Sequence, residues 1–149
     1  METEMDRDKL TPTEAYIQQE EGFRAKPYRC TSGALTIGIG WNLDAGITWE
    51  EAVMIFRHRL AGIQTHLRAR MPWFAGLNEA RQAALVSMAF QMGIQGLFSF
   101  KRALKAVEGG DWDKAGREML DSKWARQTPK RARRTAYMIR YGKFPTVWT

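Results

Sequence analysis

An acid, a thiol and a hydroxyl stand near the start of the chain at spacings that could serve one reaction. Glu21 is followed by Cys30 nine positions on and by Thr36 six positions further. Glu21 falls at the predicted end of a helix, and the other two lie in a glycine-rich, β-prone segment. This arrangement can place a proton donor on one side of a cleft and a water-positioning pair on the other. Hydrolysis of a glycosidic bond needs both, because the leaving oxygen takes up a proton while water attacks the sugar.

Taken singly, these residues have simpler interpretations. A lone cysteine is usually a small buried hydrophobic residue, and a lone threonine is usually a strand residue. Glu21 is less ordinary, because a helix dipole favours cations at its C-terminal end, so the acid there indicates function or a basic partner. An unperturbed thiol is mostly protonated at neutral pH, and Arg29 beside Cys30 could raise its thiolate fraction.

Capping signals divide most of the chain into helices. Thr11 and Thr48 each begin a capping box, which predicts a helix at 12–21 stopped by Gly22 and a long amphipathic helix at about 49–70. The other predicted helices run from a capping residue to a stop signal: Asn78 to Gly93, Ser99 to Gly109, Asp111 to about Asp121, and Thr128 to Gly142.

One stretch departs from the helical pattern. Between Tyr28 and Leu43, small residues alternate with β-branched ones, which predicts short strands joined by turns. The sequence therefore predicts an α+β fold, in which one small β-containing lobe lies early in an otherwise helical chain.

The composition indicates a single globular domain. The chain has 149 residues, of which 44% are hydrophobic and 26% charged. No apolar run approaches the roughly 20 residues that cross a bilayer, and residues 1–10 lack the basic start and apolar middle of a secretory signal. The single cysteine excludes an internal disulfide. We expect a protein without a signal peptide or transmembrane segment that accumulates in the cytoplasm.

The net charge of +7 is concentrated at the C-terminal end. Residues 122–149 hold eight basic residues and no acidic one, whereas the preceding part carries 15 basic and 16 acidic residues. A cationic end indicates an anionic partner such as nucleic acid, a membrane surface or a cell-wall polymer. A solvated helix face that aids solubility explains the same pattern.

Three segments together resemble the glycoside hydrolase family 24 lysozymes, the phage endolysins of the T-even lysozyme type. The first runs from Glu21-Gly-Phe-Arg through Cys30 to Thr36-Ile-Gly-Ile-Gly. Residues 84–93 are similar to the buried central helix of the family, and residues 122–134 to its C-terminal signature. The resemblance covers about residues 11–144, and it implies a bilobal, lysozyme-like fold in one domain. In that fold the small lobe takes about 22–47, the connecting helix about 49–70 and the helical lobe about 73–144, with the N-terminal helix 12–21 added to the helical lobe.

The resemblance also implies an activity. The protein would be a muramidase that cleaves the β-1,4 bond between N-acetylmuramic acid and N-acetylglucosamine in peptidoglycan, for host cell lysis at phage release. By matching position, Glu21 would be the general acid, and Cys30 with Thr36 would handle the attacking water. Arg131 matches an arginine that pairs with the catalytic glutamate.

Gly40, Phe90 and Gln91 match positions that line the sugar cleft in the family. The chain also departs from the family pattern. Cys30 stands where the best-studied relatives have aspartate, Trp41 replaces a histidine, and the segment 42–47 is shorter than in the T-even type. A trimmed small lobe is therefore expected.

The expected partners follow from this assignment. The substrate would be peptidoglycan, a holin would open the way from the host cytoplasm to the periplasm, and the cationic end allows contact with an anionic outer membrane. The enzyme is expected to be a monomer that uses no cofactor or nucleic acid. His58 and His66 have no accompanying carboxylate–cysteine cluster, so no metal site is predicted.

An alternative from another class is a basic module that binds membranes or nucleic acid through the helix 128–142. The spacing Glu21-x8-Cys30-x5-Thr36 favours the enzyme, because a binding module has no reason to hold it.

Overall fold

The computed structural model describes residues 9–146. In this range the chain is mostly helical and carries one antiparallel three-stranded sheet, which confirms the predicted α+β class. The helices are α1 (Pro12–Glu21), α2 (Trp49–Arg70), α3 (Glu79–Phe98), α4 (Lys101–Glu108), α5 (Trp112–Leu120), α6 (Lys123–Gln127) and α7 (Pro129–Tyr141). The strands are β1 (Arg24–Arg29), β2 (Leu35–Gly38) and β3 (Trp41–Asn42). Residues 1–8, from the segment in which no secretory signal is predicted, and residues 147–149 of the cationic end lie outside the described residues.

The chain forms two compact units, one ending at Val53 and the other beginning at Met54. The first unit contains α1, the sheet and the start of α2. The second contains the rest of α2 and the helices α3 to α7. The expected division into lobes, with the N-terminal helix added to the helical lobe, stays a prediction.

Two predicted capping boxes are confirmed. At the start of α1, the Glu14 backbone N–H donates to the Thr11 hydroxyl at 3.2 Å, and the Thr11 N–H donates to the Glu14 carboxylate at 2.8 Å. Thr48 and Glu51 make the same reciprocal pair at the start of α2, at 3.1 and 3.0 Å. Each pair satisfies two backbone donors that the first turn leaves without intrahelical partners.

The predicted cap at Ser99 is wrong. Its hydroxyl donates backward to the Gly96 carbonyl at 2.6 Å, and Ser99 ends α3. Helix α4 begins at Lys101 after Phe100, which provides no side-chain cap. Serine hydroxyls bond carbonyls three or four residues back as readily as they cap a new helix, so the residue type alone does not decide between the two.

The segment before α7 holds a helix that the sequence prediction misses. Ser122 caps the short α6 by accepting from the Ala125 backbone N–H at 3.1 Å. Thr128 then takes the N-cap position of α7, as predicted, but its hydroxyl donates to the Trp124 carbonyl at 3.0 Å. The proline at position 129 therefore begins α7 without a side-chain cap.

The sheet has the order β1-β2-β3 and begins earlier than predicted. The predicted strand region starts at Tyr28, whereas β1 starts at Arg24. Pro27 hides this strand from sequence analysis, since proline lacks an N–H for the ladder and is confined to edge strands and bulges. β1 is an edge strand, and its register shifts between Arg24 and Tyr28, so the structure accommodates the proline.

The hydrophobic core lies in the second unit and is built around α3. That helix breaks at Gly93 (φ 82°, ψ 163°), the predicted stop, and then continues to Phe98. The largest fully buried side chains of the described chain are Leu67, Phe74, Leu85, Met88, Leu97, Val107, Met119 and Ile139. They come from five different elements, α2 to α5 and α7, together with a 3-10 turn after α2, so this core ties most of the unit together.

The start of α3 is bound to the end of α7. The Asn78 side chain caps α3 by accepting from the Arg81 N–H at 3.0 Å, and it donates to the Gly142 carbonyl at 2.8 Å. Arg81 donates from Nε to the Ile139 carbonyl at 2.8 Å and from a terminal nitrogen to the Arg140 carbonyl at 3.1 Å. These donors satisfy carbonyls that the last turn of α7 leaves without helical partners.

We predict that Asn78→Ala lowers the free energy of unfolding by about 1.5 kcal/mol, since it removes both a helix cap and a hydrogen bond to the end of α7. Asn78→Ser keeps the capping oxygen but cannot reach Gly142, so it should cost only about 0.5 kcal/mol. Urea unfolding followed by circular dichroism measures both. Equal losses in the two variants would show that the capping oxygen contributes nothing, and an unchanged stability of Asn78→Ser would show that the bond to Gly142 contributes nothing.

Candidate active site

Glu21 is the last residue of α1, and its side chain is exposed. Gly22 ends the helix with φ 72°, and its N–H donates to the Gln18 carbonyl at 2.7 Å. Because the chain turns sharply at Gly22, β1 begins only two residues later. The carboxylate thus stands at the junction between the helix and the sheet.

Gly40 lies directly beneath the Glu21 carboxyl group. It belongs to the turn between β2 and β3, where Ile37 pairs with Trp41, and it has φ 64°. A Cβ at position 40 would lie 2.8 Å from the Glu21 Cδ and would also collide with Oε2. Real Cβ atoms do not approach other atoms this closely, so the carboxyl group occupies space that only glycine leaves open.

Cys30 and Thr36 meet across the hairpin that joins β1 to β2. Tyr28 pairs with Thr36, so the residue two after Tyr28 projects from the same face as Thr36. The Cys30 N–H donates to the Ala34 carbonyl at 3.0 Å and closes the turn. Thr36 is almost completely buried, with 4% of its surface exposed, whereas Cys30 is half-buried.

The thiol of Cys30 is surrounded by hydroxyl groups. Its Sγ lies 3.0 Å from the Ser32 Oγ. The pKa of Cys30 is lowered to about 7, and the largest cause is the hydrogen bond with the Ser32 hydroxyl. Hydrogen bonds with the Ser32 backbone, the Thr36 hydroxyl and the Ala34 backbone lower this pKa further, and burial opposes them by a smaller amount. A large fraction of this thiol is therefore ionised at neutral pH.

The expectation that Arg29 promotes the thiolate is wrong. Its guanidinium donates to the Gly33 carbonyl at 3.0 Å and braces the turn, and it is not among the causes that lower the Cys30 pKa. The guanidinium is thus engaged by the backbone of the turn, although Arg29 and Cys30 are neighbours in sequence. Ser32, which the sequence analysis overlooks, takes this role.

Arg131, in α7, is bound to α3. A terminal nitrogen donates to the Ser87 carbonyl at 3.2 Å and to its hydroxyl at 3.0 Å. Arg131 also lines a groove of about 380 Å³ together with Phe56 and Phe90. The pairing of Arg131 with Glu21 stays a prediction.

Phe90 and Gln91 are consecutive residues of α3 with different surroundings. Phe90 is 46% exposed, and its ring packs edge to face against Phe56, with 5.7 Å between centroids. Gln91 accepts a hydrogen bond at 2.8 Å from the indole nitrogen of Trp124, which fixes its amide. Both present polar or aromatic surface from a rigid helix, and their contact with sugars stays a prediction.

The cationic helix α7 is part of the core of the second unit. Its buried residues Ala132, Thr135, Ala136 and Ile139 are spaced three and four apart and face the other helices. Arg140 packs across Gly116, where an added Cβ would lie 2.6 Å from its Nε. The exposed basic side chains in the described part of this end are Lys123, Arg126, Lys130, Arg133 and Lys143.

Neither a metal cluster nor a single spanning helix occurs in residues 9–146. No three His, Cys, Asp or Glu side chains there lie close enough to hold an ion. No single helix in that range is long and apolar enough to cross a bilayer. Helices α3 and α4 together reach the necessary length and apolar character, but they are bent by 101° relative to each other.

The mostly helical fold with one small antiparallel sheet is consistent with that of lysozymes of the T4 type, and comparison with known proteins shows the family. Residues 18–136 match the family model described as phage lysozyme, and the chain belongs to that family. It is therefore a glycoside hydrolase of the T4 lysozyme type, and its family acts as muramidases on peptidoglycan.

Three relatives illustrate how the family varies. The chain is 34% identical over 155 residues to the pre-baseplate central spike protein of Enterobacteria phage T4. The matched region covers 85% of this chain but 27% of the spike protein. It thus spans well under half of the spike protein's length. It is 27% identical to a probable T4-type lysozyme of Dictyostelium discoideum, covering 85% of this chain and 92% of the relative. An endolysin of Acyrthosiphon pisum secondary endosymbiont phage 1 is 31% identical, over 74% of this chain and 75% of its own.

We predict that Gly40→Ala lowers the rate of peptidoglycan lysis at least tenfold, because the new methyl group displaces the Glu21 carboxyl group. The matched control is Gly38→Ala: Gly38 has nearly the same φ, 66°, but an added Cβ there meets no atom within 4 Å. Both variants carry a similar backbone strain of about 1–2 kcal/mol. Turbidity loss of a peptidoglycan suspension at matched concentrations of folded protein measures the effect. Equal activities would mean that Gly40 does not position Glu21.

Proposed function

We propose that this muramidase cleaves the β-1,4 bond between N-acetylmuramic acid and N-acetylglucosamine with Glu21 as general acid and Cys30 and Thr36 as the residues that handle water. The observation that carries the proposal is the first unit itself, which combines a carboxyl group over Gly40 with a thiol and a hydroxyl that contact each other. An acid and a second ionisable group near a scissile glycosidic bond are what hydrolysis requires.

The proposed reaction is one concerted displacement. The Cys30 thiolate removes a proton from water while the water oxygen bonds to the anomeric carbon. The bond from that carbon to the glycosidic oxygen breaks, its electron pair stays on the oxygen, and Glu21 gives that oxygen its proton. Cys30 ends as a thiol and Glu21 as a carboxylate, and one proton exchanged through solvent restores both.

Thr36 suits the positioning of water because its single proton is already in use. Its hydroxyl donates to the Ala34 carbonyl at 3.0 Å, which leaves its lone pairs free to accept. A water molecule that donates one hydrogen to Thr36 and the other to Cys30 is held by two fixed points. Thr36 itself is rigid, because it is buried and paired with Asn42 in the sheet.

Gly40, Phe90 and Gln91 are proposed to contact the sugar chain. Gly40 contributes a surface without a side chain, and Phe90 contributes an exposed ring on a rigid helix. The pairing of Arg131 with Glu21 belongs to the same proposal, since a cation beside the carboxylate would offset the unfavourable end of α1.

Host cell lysis at phage release is the proposed biological role, supported by the similarity to a phage endolysin. The enzyme would remain in the host cytoplasm until a holin opens the membrane and gives it access to the periplasm. The five exposed basic side chains of the C-terminal end would favour contact with the anionic outer membrane.

Action at another stage of infection is a second candidate, favoured by the 34% identity to a central spike protein. An enzyme of the phage particle would open the wall at entry, with the same chemistry. Mass spectrometry of purified particles separates the two roles, since a lysis enzyme is absent from washed particles and a structural one is present at a fixed copy number.

We predict that Glu21→Gln lowers wall lysis by a factor of about 10² to 10⁴ while the fold persists, because glutamine keeps the shape of the side chain and removes the transferable proton. Glu20→Gln is the matched control, as adjacent residues of α1 lie on different faces and only Glu21 sits over Gly40. A folded Glu21→Gln protein with more than about a tenth of the wild-type rate would exclude Glu21 as the acid.

For Cys30, we predict inactivation by Cys30→Ala and retention of a sizeable share of activity by Cys30→Asp, since a carboxylate can also take a proton from water. The acid limb of the activity profile of the wild-type enzyme should fall near pH 7, because the thiolate is lost as the pH drops below the Cys30 pKa of about 7. Full activity of the alanine variant would make Cys30 a structural residue.

The stereochemistry of the product tests the displacement itself. Direct attack by water inverts the anomeric carbon, which NMR of the first product detects. A covalent sugar–Cys30 adduct, observed by mass spectrometry, together with retained configuration would show instead that Cys30 is the nucleophile.

A further inference from the structure

The hairpin turn between β1 and β2 places one more hydroxyl against the thiol. The Gly33 N–H donates to the Cys30 carbonyl at 2.8 Å, and Gly33 has φ 86°. A β-turn followed by a glycine with positive φ is a common way to close a three-residue hairpin loop. Ser32 is the residue just before that glycine, and the turn folds its side chain back onto Cys30, with 3.0 Å between Oγ and Sγ.

The two hydroxyls near Cys30 are not equivalent. The Thr36 hydroxyl donates its proton to the Ala34 carbonyl at 3.0 Å. To donate to the Cys30 sulfur instead, this hydroxyl would have to break that bond. Ser32 forms no competing side-chain bond to a carbonyl in residues 9–146, and its contact with Sγ can run in either direction. Ser32 can therefore accept from the thiol and donate to the thiolate without any other rearrangement.

We propose that Ser32 is a positioning residue of the reaction: its hydroxyl holds the Cys30 sulfur in the turn and donates to it when the sulfur carries the negative charge. The inference rests on the proposed use of Cys30 as the proton acceptor. Ser32 contacts no reacting atom and acts only through Cys30.

No charged side chain of residues 9–146 is among the groups that lower the Cys30 pKa, so the stabilisation of the thiolate falls to hydrogen-bond donors such as Ser32. The Arg29 guanidinium is bound to the Gly33 carbonyl, and the Asp44 carboxylate accepts from the Leu35 N–H at 3.3 Å. The other ionisable side chains of the sheet are Arg24, Lys26 and Tyr28, with the Arg24 guanidinium 4.6 Å from the centre of the Tyr28 ring, and Glu21 of α1 lies over Gly40. The groups that lower the Cys30 pKa are hydrogen-bonding partners in the turn and Thr36, and the Ser32 side chain is the first of them.

The test compares Ser32→Ala, Ser32→Thr and Thr31→Ala in the full chain. Thr31 is the matched control, because it offers an exposed hydroxyl one position away in the same turn. Since Cys30 is the single cysteine of the chain, the rate of alkylation by iodoacetamide against pH, followed by mass spectrometry, reports this thiol alone. The pH profile of peptidoglycan lysis is measured in parallel.

We expect Ser32→Ala to raise the Cys30 pKa toward its ordinary value and to slow both alkylation and lysis at pH 7 about three- to tenfold, with much of the difference disappearing near pH 9. Thr31→Ala should match the wild type, and Ser32→Thr should recover most of the loss. These results together would support the proposal.

Two outcomes would overturn it and can be told apart. An unchanged thiol pKa in a folded Ser32→Ala protein contradicts the role of Ser32 and leaves the proposed function intact. A raised thiol pKa with an unmoved pH profile of lysis shows that the reaction does not use the Cys30 thiolate, which refutes the inference and the proposed role of Cys30 together.

Discussion

The carboxyl group of Glu21 can occupy its position because position 40 has no side chain. Helix α1 ends at this acid, Gly22 redirects the chain into the sheet, and the pairing of Ile37 with Trp41 brings Gly40 back beneath the carboxyl group. The close approach of the carboxyl group to Gly40 is the contact of the first unit that defines its place. The position of the carboxyl group therefore depends on three features together: the end of α1, the register between β2 and β3, and the turn that contains Gly40.

Cysteine in place of aspartate changes what the hairpin turn has to do. A carboxyl group, with an ordinary pKa near 4, is ionised at neutral pH without help, whereas a free thiol with a pKa of about 8.5 is not. A thiol that accepts a proton from water therefore depends on nearby donors to stay ionised. In this chain hydroxyl and backbone groups lower the pKa of Cys30 to about 7. Under the proposed mechanism, the turn that carries Ser32 would therefore take part in the chemistry.

The basic residues of the C-terminal end divide into two groups with different uses. Arg131 binds Ser87 and Arg140 packs across Gly116, so these cations contribute to the second unit itself. The exposed ones carry the surface charge. A count of charges along the sequence cannot separate the groups, because helix α7 alternates buried and exposed positions every three to four residues. The net charge alone therefore overstates the cationic surface available to a partner.

What the sequence predicts well is what is determined locally. The boxes at Thr11 and Thr48 depend on residues within one helical turn, and they are confirmed. The stop predicted at Gly93 is a kink, after which α3 continues to Phe98. The predicted cap at Ser99 is wrong because its hydroxyl donates to the Gly96 carbonyl and does not accept from a backbone N–H of α4, and the residue type alone does not decide between these two bonds. β1 is missed because Pro27 is acceptable only in a strand known to be at an edge.

The candidate site shows where reasoning from spacing stops. A resemblance assigns Glu21, Cys30 and Thr36 to one reaction, but it does not say what each group contacts. Arg29 is next to Cys30 in sequence, yet its guanidinium is bound to the Gly33 carbonyl and is not among the groups that lower the Cys30 pKa. Ser32 is two residues away, and only the turn closed by Gly33 makes it a neighbour. The groups that control the ionisation of the Cys30 thiol are thus set by backbone geometry, and a turn can supply them where sequence neighbours cannot.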